Sequence, residues 1–240
     1  MITAMLLAHV LGDYILQPDS LARWKAQAQR GVLVHGLVVL LATWLLSLPF
    51  DRQWWPWAVG IGLLHTGVDS GKLWLAQHRP GPQTGLVALR HFAADQAVHL
   101  SAILLVLFAS GYLPLHNPAG AILSDLHQTR WLSLLMGYLF LFKPAWIITG
   151  FVAHGITTNT APNFSQRGGL YTGFLERLGI ITCILLGQFL LLPIIPLARI
   201  GVERHRQTPR PGHLYTAELA ASFLLAITTG LGLRWLMLIT

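Results

Sequence analysis

Between Val32 and Leu48 the chain carries no formal charge, and further long apolar runs begin near Ile2, Ala58, Leu89, Trp131, Tyr171 and Leu214. Only 10% of the 240 residues are charged, against about 25% in an average soluble domain. With 54% hydrophobic residues and a mean hydropathy of +0.57, the chain reads as a multi-pass membrane protein. Backbone groups in lipid must be satisfied within the protein, so the spans are helices or a closed barrel. The runs do not alternate polar with apolar, which excludes a barrel. The expected fold is an all-α, polytopic membrane helix bundle.

Seven apolar helices are expected, over about 2–17, 32–48, 58–75, 89–109, from 131 onward, 171–197 and 214–238. Pro18 ends the first, and Lys143–Pro144 interrupts the fifth. Trp54, Trp55 and Trp57 form an interfacial anchor between the second and third. Loops are expected at 111–130, at 154–169 and, strongly basic, at 199–212. Orientation follows Lys and Arg in short loops. Arg23, Lys25 and Arg30 put the first loop in the cytoplasm, and Arg79 and Arg90 put the third there. Arg199, Arg204, Arg206 and Arg210 demand the same of the loop after the sixth helix, yet three crossings separate it from the third loop. One segment must fail to cross. The fifth helix, broken or re-entrant at Lys143–Pro144, is the expected culprit, which leaves six to seven transmembrane helices. The chain divides into a four-helix region, 1–110, and a region of two to three helices, 111–240.

The net charge of +7 is assigned to cytoplasmic loops facing anionic headgroups. No basic stripe interleaves with aromatics, so membrane lipids and not nucleic acid are the expected partners; a homo-oligomer is left open. Cys183 is the only cysteine, which excludes an intrachain disulfide and a CxxC metal motif. The opening "MITAMLLAH" lacks a basic leader and a cleavage site, and is read as a retained first helix.

Of six aspartates, Asp13, Asp69 and Asp95 fall inside apolar helices, and each has a histidine four residues away: His9, His65 and His99. Positions four apart share a helix face. Asp19, Asp51 and Asp125 fall in expected loops and have no such partner. An ionisable group at the bilayer centre costs at least about 2.5–3.5 kcal/mol, so these residues must face a common interior. Three carboxylates against Lys72 leave −2, which a divalent cation or two protons would balance. Imidazole and carboxylate together suit zinc, iron or manganese. The candidate ligands are His9, Asp13, His35, His65, Asp69, Asp95 and His99, enough for one metal with an open position or for two. Gln17 and Gln96 are candidate orienting groups, and Asp95 and Lys72 candidate catalytic residues. Glu176–Arg177, opening the sixth helix, reads as a dipole and interface pair.

These motifs form a recognisable set. His9-x-x-Gly12-Asp13 with Gln17, His35-Gly36, His65-x-x-x-Asp69 with Lys72, and Asp95-Gln96-x-x-His99 resemble a family of bacterial multi-pass membrane proteins catalogued only as a domain of unknown function. In the second half, Lys143-Pro144-Ala145, the "GFLERLG" segment at 173–179, Gln188 and the basic stretch are similar to its longer members. Those members often carry a lysine where Arg199 stands and an acidic residue near His213. The resemblance implies a bacterial inner-membrane location and weight on the His/Asp set; it implies no activity. The leading expectation is a metal-dependent reaction, such as hydrolysis, on a lipid or membrane-proximal substrate. The alternatives are a proton-coupled transporter and an assembly or scaffold protein.

Overall fold

The computed structural model describes residues 1–79, 84–164, 169–204 and 212–238. Its elements are helical: α1 (Ile2–Val10), α2 (Asp19–Lys25), α3 (Gln29–Ser47), α4 (Trp55–His78), α5 (Gly85–Ala109), α6 (Pro118–Gln128), α7 (Arg130–Phe140), α8 (Lys143–Thr157), α9 (Leu170–Leu185), α10 (Ile194–Arg204) and α11 (Gly212–Leu238). No strand occurs among the described residues, only an isolated bridge between Thr84 and Thr160. Three helices, α3, α5 and α11, are long and apolar enough to cross a membrane, and the α7–α8 pair, bent by 45°, would make a fourth. The expected six to seven spans are not met by this measure. α4 has the length, 24 residues, but its polar cargo keeps it below the threshold, and 2–15 and 189–202 are apolar but short. Packing divides the chain into two units: Met1–Pro82 with Phe92–Met136, and Gln83–His91 with Gly137–Thr240.

In the first unit α3 lies along α4, with α1 and α2 packed on α3. Glycines set these distances. A Cβ on Gly36 would stand 1.9 Å from Thr66 Oγ1, and one on Gly62 2.8 Å from Leu40 Cβ. A Cβ on Gly31 would meet the backbone of Trp24 and Lys25 at 2.5 Å, so glycine there lets the end of α2 rest on α3. The first expected helix is not uniform. Past Val10 it widens into a π-turn over Leu11–Ile15, closed by Leu16 N–H donating to Leu11 O at 2.7 Å. Such turns re-aim side chains within a helix and recur at functional sites.

Several loop expectations need correction. The segment 111–130 contains α6, whose start Asn117 caps by accepting from Gly120 N–H. Trp54 is core, 2% exposed, while Trp55 and Trp57 remain exposed as anchors do. The expected loop aspartates hold elements together. Asp51 accepts from Gln53 N–H ahead of α4 and from the Tyr112 hydroxyl. Asp125, on α6, accepts from the Met1 amino group and from Thr3 N–H and Oγ1, and so clamps the start of α1.

In the second unit the break at Lys143–Pro144 is present as expected. The sixth expected helix is broken as well: α9 ends near Gly187 (φ +75°), and Pro193 precedes α10. Arg234 Nη1 donates to the exposed carbonyls of Ile184 and Leu185, satisfying α9's C-terminal end. The expected basic loop is helical through Arg204; His205, Arg206 and Arg210 lie outside the described residues. Glu176 and Arg177, expected at an interface, are buried.

Candidate metal centre

The three helical His/Asp pairs and His35 converge in the first unit. The π-turn delivers Asp13, α3 delivers His35, α4 delivers His65 and Asp69, and α5 delivers Asp95 and His99. At the centre, His35 Nε2 and His65 Nε2 stand 3.0 Å apart, and each is 3.2 Å from Asp13 Oδ1. Asp69 Oδ2 is 3.4 Å from His65 Nε2 and 3.7 Å from His35 Nε2. His35 is fully buried, and His65 and Asp69 are each 3% exposed. Four acceptor-capable atoms thus crowd around at most one proton per ring. Zinc–nitrogen bonds of about 2.0–2.1 Å in a tetrahedron set neighbouring donors roughly 3.3–3.4 Å apart, close to these separations.

The outer residues are held in defined tautomers. The Asp95 carboxylate only accepts, so the amide nitrogen of Gln96 faces it, at 3.3 Å, and Gln96 Oε1 faces the Tyr14 hydroxyl at 2.7 Å and His9 Nε2 at 3.3 Å. His9 therefore carries its proton on Nε2. Its bare Nδ1 is buried without a hydrogen-bond partner, 3.7 Å from Asp13 Oδ2. His99 Nδ1 donates to the Asp95 carbonyl at 2.8 Å, which leaves Nε2 bare, buried and unpartnered, 3.9 Å from Asp69 Oδ1. A bare nitrogen facing a carboxylate oxygen, twice over, is an arrangement that a cation or a proton resolves. Three triads bring one donor per residue within 4.8 Å of one another: His9–Asp13–His65, His35–His65–Asp69 and Asp69–Asp95–His99.

Lys25 was not expected here. Sequence reading placed it in a cytoplasmic loop, but its Nζ lies 3.0 Å from Asp69 Oδ2. The signal was Gly31, six residues on, which admits α2 against α3. Tyr14 was likewise missed. Lys72, expected beside Asp69, bonds Asp95 Oδ2 at 2.7 Å from a half-exposed position. Counting both lysines, the charge of the cluster is −1 rather than −2. Gln96 Oε1 lies 3.3 Å from His9 Nε2; Gln17 sits just past the π-turn, partly buried and engaged.

No curated protein and no solved structure matches the chain. One family model does, described as "Protein of unknown function (DUF3307)", over residues 1–123. That range contains all seven candidate ligands together with Lys25 and Lys72, and ends before α8–α11. On a match to half its length, the chain belongs to the DUF3307 family of proteins of unknown function.

Proposed function

We propose that this is a polytopic protein of the bacterial inner membrane that holds a divalent metal (zinc, iron or manganese) between α1, α3, α4 and α5, and that it hydrolyses a lipid or membrane-proximal substrate. The observation that carries the reading is the meeting of His35 Nε2, His65 Nε2, Asp13 Oδ1 and Asp69 Oδ2 at 3.0–3.7 Å in a buried pocket of the chain. Charge supports it. A dication on a cluster of −1 would leave +1, an excess that an anionic substrate group would balance. When bound, the metal supplies Lewis acidity and a water of lowered pKa.

The chain's own residues supply the rest. His35, His65, Asp13 and Asp69 would hold the ion. The bare Nε2 of His99 accepts the proton of the attacking water, and its Nδ1–H, fixed on the Asp95 carbonyl and 3.7 Å from Asp95 Oδ1, sets the backing carboxylate for the charged ring. Lys72 and Gln96 hold Asp95 in place, so Asp95 and Lys72 act through His99. Lys72, half exposed, stands toward the edge where an anionic group would enter.

The test is metal content. Protein purified in mild detergent without chelator or His-tag is analysed by elemental mass spectrometry beside His65→Ala and Asp69→Asn. About one zinc, iron or manganese per chain, lost in both variants, is expected; metal-free, folded wild-type protein would overturn the reading. A proton-coupled transporter is the second reading. It is favoured by the line of titratable groups Lys72–Asp95–His99–Asp69 and by the broken α7–α8 span. It predicts folded, metal-free protein that moves protons in vesicles.

A further inference from the structure

The second unit has a small polar cavity of its own, with Arg177, Arg199, Trp146, Thr149 and Gly169 in its lining. Arg177 is committed to the broken span: Nε donates to the Leu141 carbonyl at 2.8 Å and Nη2 to that of Phe142, which also accepts from Trp146 N–H, at 3.4 Å. Its Nη1 donates to Ser222 Oγ at 3.0 Å. Arg199 pairs with Glu176, and Ser222 Oγ donates to the same Glu176 oxygen at 3.2 Å. Arg177, Arg199 and Glu176 are 1%, 7% and 3% exposed. Two guanidiniums and the Glu176 carboxylate are thus buried together. Glu218, on the cavity wall, is already engaged.

Further observations point to what the cavity would hold. Arg199 Nε is buried without a hydrogen-bond partner although Arg199 lines the cavity. Gly169, also in the lining, begins the 16-residue α9 at φ +84°, and no side chain caps the helix and no acid sits in its first turn. Free N–H groups and the positive end of the helix dipole favour an anion there. Gly173, one turn on, keeps the guanidiniums close: a Cβ would lie 3.1 Å from Arg177 Nη1 and 3.6 Å from both Arg199 terminal nitrogens. Glu176 Oε1, buried and unpartnered, offers an acceptor to a ligand hydroxyl.

We propose that this cavity binds a singly charged phosphoryl group: the phosphodiester of a phospholipid headgroup, or inorganic phosphate. A planar guanidinium fork and a helix N-terminus together match a tetrahedral oxyanion. The site lies outside the residues matched by the family model and is independent of the metal centre.

The experiment uses the full chain. Phosphate binding is measured by calorimetry in phospholipid-free detergent, and lipid retention by native mass spectrometry from nanodiscs of phosphatidylglycerol against discs carrying added diacylglycerol, which lacks the phosphoryl group. Each is repeated on the Arg199→Gln/Glu176→Gln double variant, which removes both charges of the pair together, and on Arg199→Lys, which keeps the charge and loses the fork and Nε. Binding of phosphate that weakens about tenfold or more in both variants supports the site with the free ion as its source. Retention of phosphatidylglycerol but not diacylglycerol, lost in the variants without phosphate binding, supports it with the headgroup as its source. Folded wild-type protein that binds neither overturns the proposal, as does binding unchanged in Arg199→Lys.

Discussion

The distance on which the proposed metal centre depends is set one residue away from it, at Gly36. An alanine Cβ there would sit 1.9 Å from Thr66 Oγ1, about 1.5 Å inside ordinary contact. Rotating Thr66 gives little relief. Its hydroxyl would lose the 2.7 Å bond to the Gly62 carbonyl, and its Cβ would still stand 3.1 Å from the new methyl. Overpacking of this kind costs about 1–3 kcal/mol. The remaining response is for α3 and α4 to part. His35 adjoins Gly36 on α3, and His65 adjoins Thr66 on α4, so separation acts directly on the 3.0 Å between the two Nε2 atoms. Parting by about 1 Å takes that distance past the roughly 3.4 Å edge that a tetrahedral zinc site allows.

Gly36→Ala is therefore expected to lower zinc affinity about 10–100-fold, the range seen when supporting groups rather than ligands are changed. Its unfolding midpoint in detergent should fall as well. Zinc competition against a chromophoric chelator and a thermal melt read the two effects. Gly36→Ala/Thr66→Gly, which removes the obstructing side chain, should recover most of the affinity. A single variant that binds zinc as the wild type does and melts at the same temperature would refute the argument.

Lys25→Met removes the ammonium 3.0 Å from Asp69 Oδ2, so zinc should bind more tightly in the same competition assay; weaker binding would show that Lys25 supports the site instead of competing for it. Arg177→Leu leaves the Leu141 carbonyl without the Arg177 donor, at about 1–3 kcal/mol for a buried group left unpaired, while the Phe142 carbonyl keeps Trp146 N–H; the loss is read as a lowered unfolding midpoint. Burial alone would raise the Asp125 carboxyl, but the donors at the start of α1, the Met1 amino group and Thr3, outweigh it and hold the group below its usual value. A lowered folded-state value gives stability that is present above the ordinary carboxylate range and is lost as pH falls through the lowered value. Protection of the α1 amides relative to their intrinsic exchange rates should therefore fall on acidification below about pH 4 in the wild type, and be already low and little changed by acid in Asp125→Asn.

The membrane character, the helical class and most of the centre were legible in the residues, because apolar runs and four-residue His/Asp spacing are local properties. His9 with Asp13, His65 with Asp69 and Asp95 with His99 had to share faces, and burying them apart in lipid would have been prohibitive. The break at Lys143–Pro144 was legible for the same reason, since proline removes a helix donor wherever it stands. The second break, at Gly187, carried signals of its own in Gly187 and Pro193, but the apolar residues on either side read as one helix. The interfacial reading of Glu176 and Arg177 failed because their partners, the Leu141 and Phe142 carbonyls, Arg199 and Ser222, lie at least 20 residues away in sequence.

By itself the sequence determined which residues must leave the lipid and which face of each helix they occupy. Only the tertiary structure decided that Asp13 turns inward on a π-turn, that Lys25 reaches Asp69 across Gly31, and that Lys72 serves Asp95. Periodicity fixes a side chain's angle about its own axis. The approach of two axes is a property of pairs, and here glycines distant in sequence from the residues they admit set it.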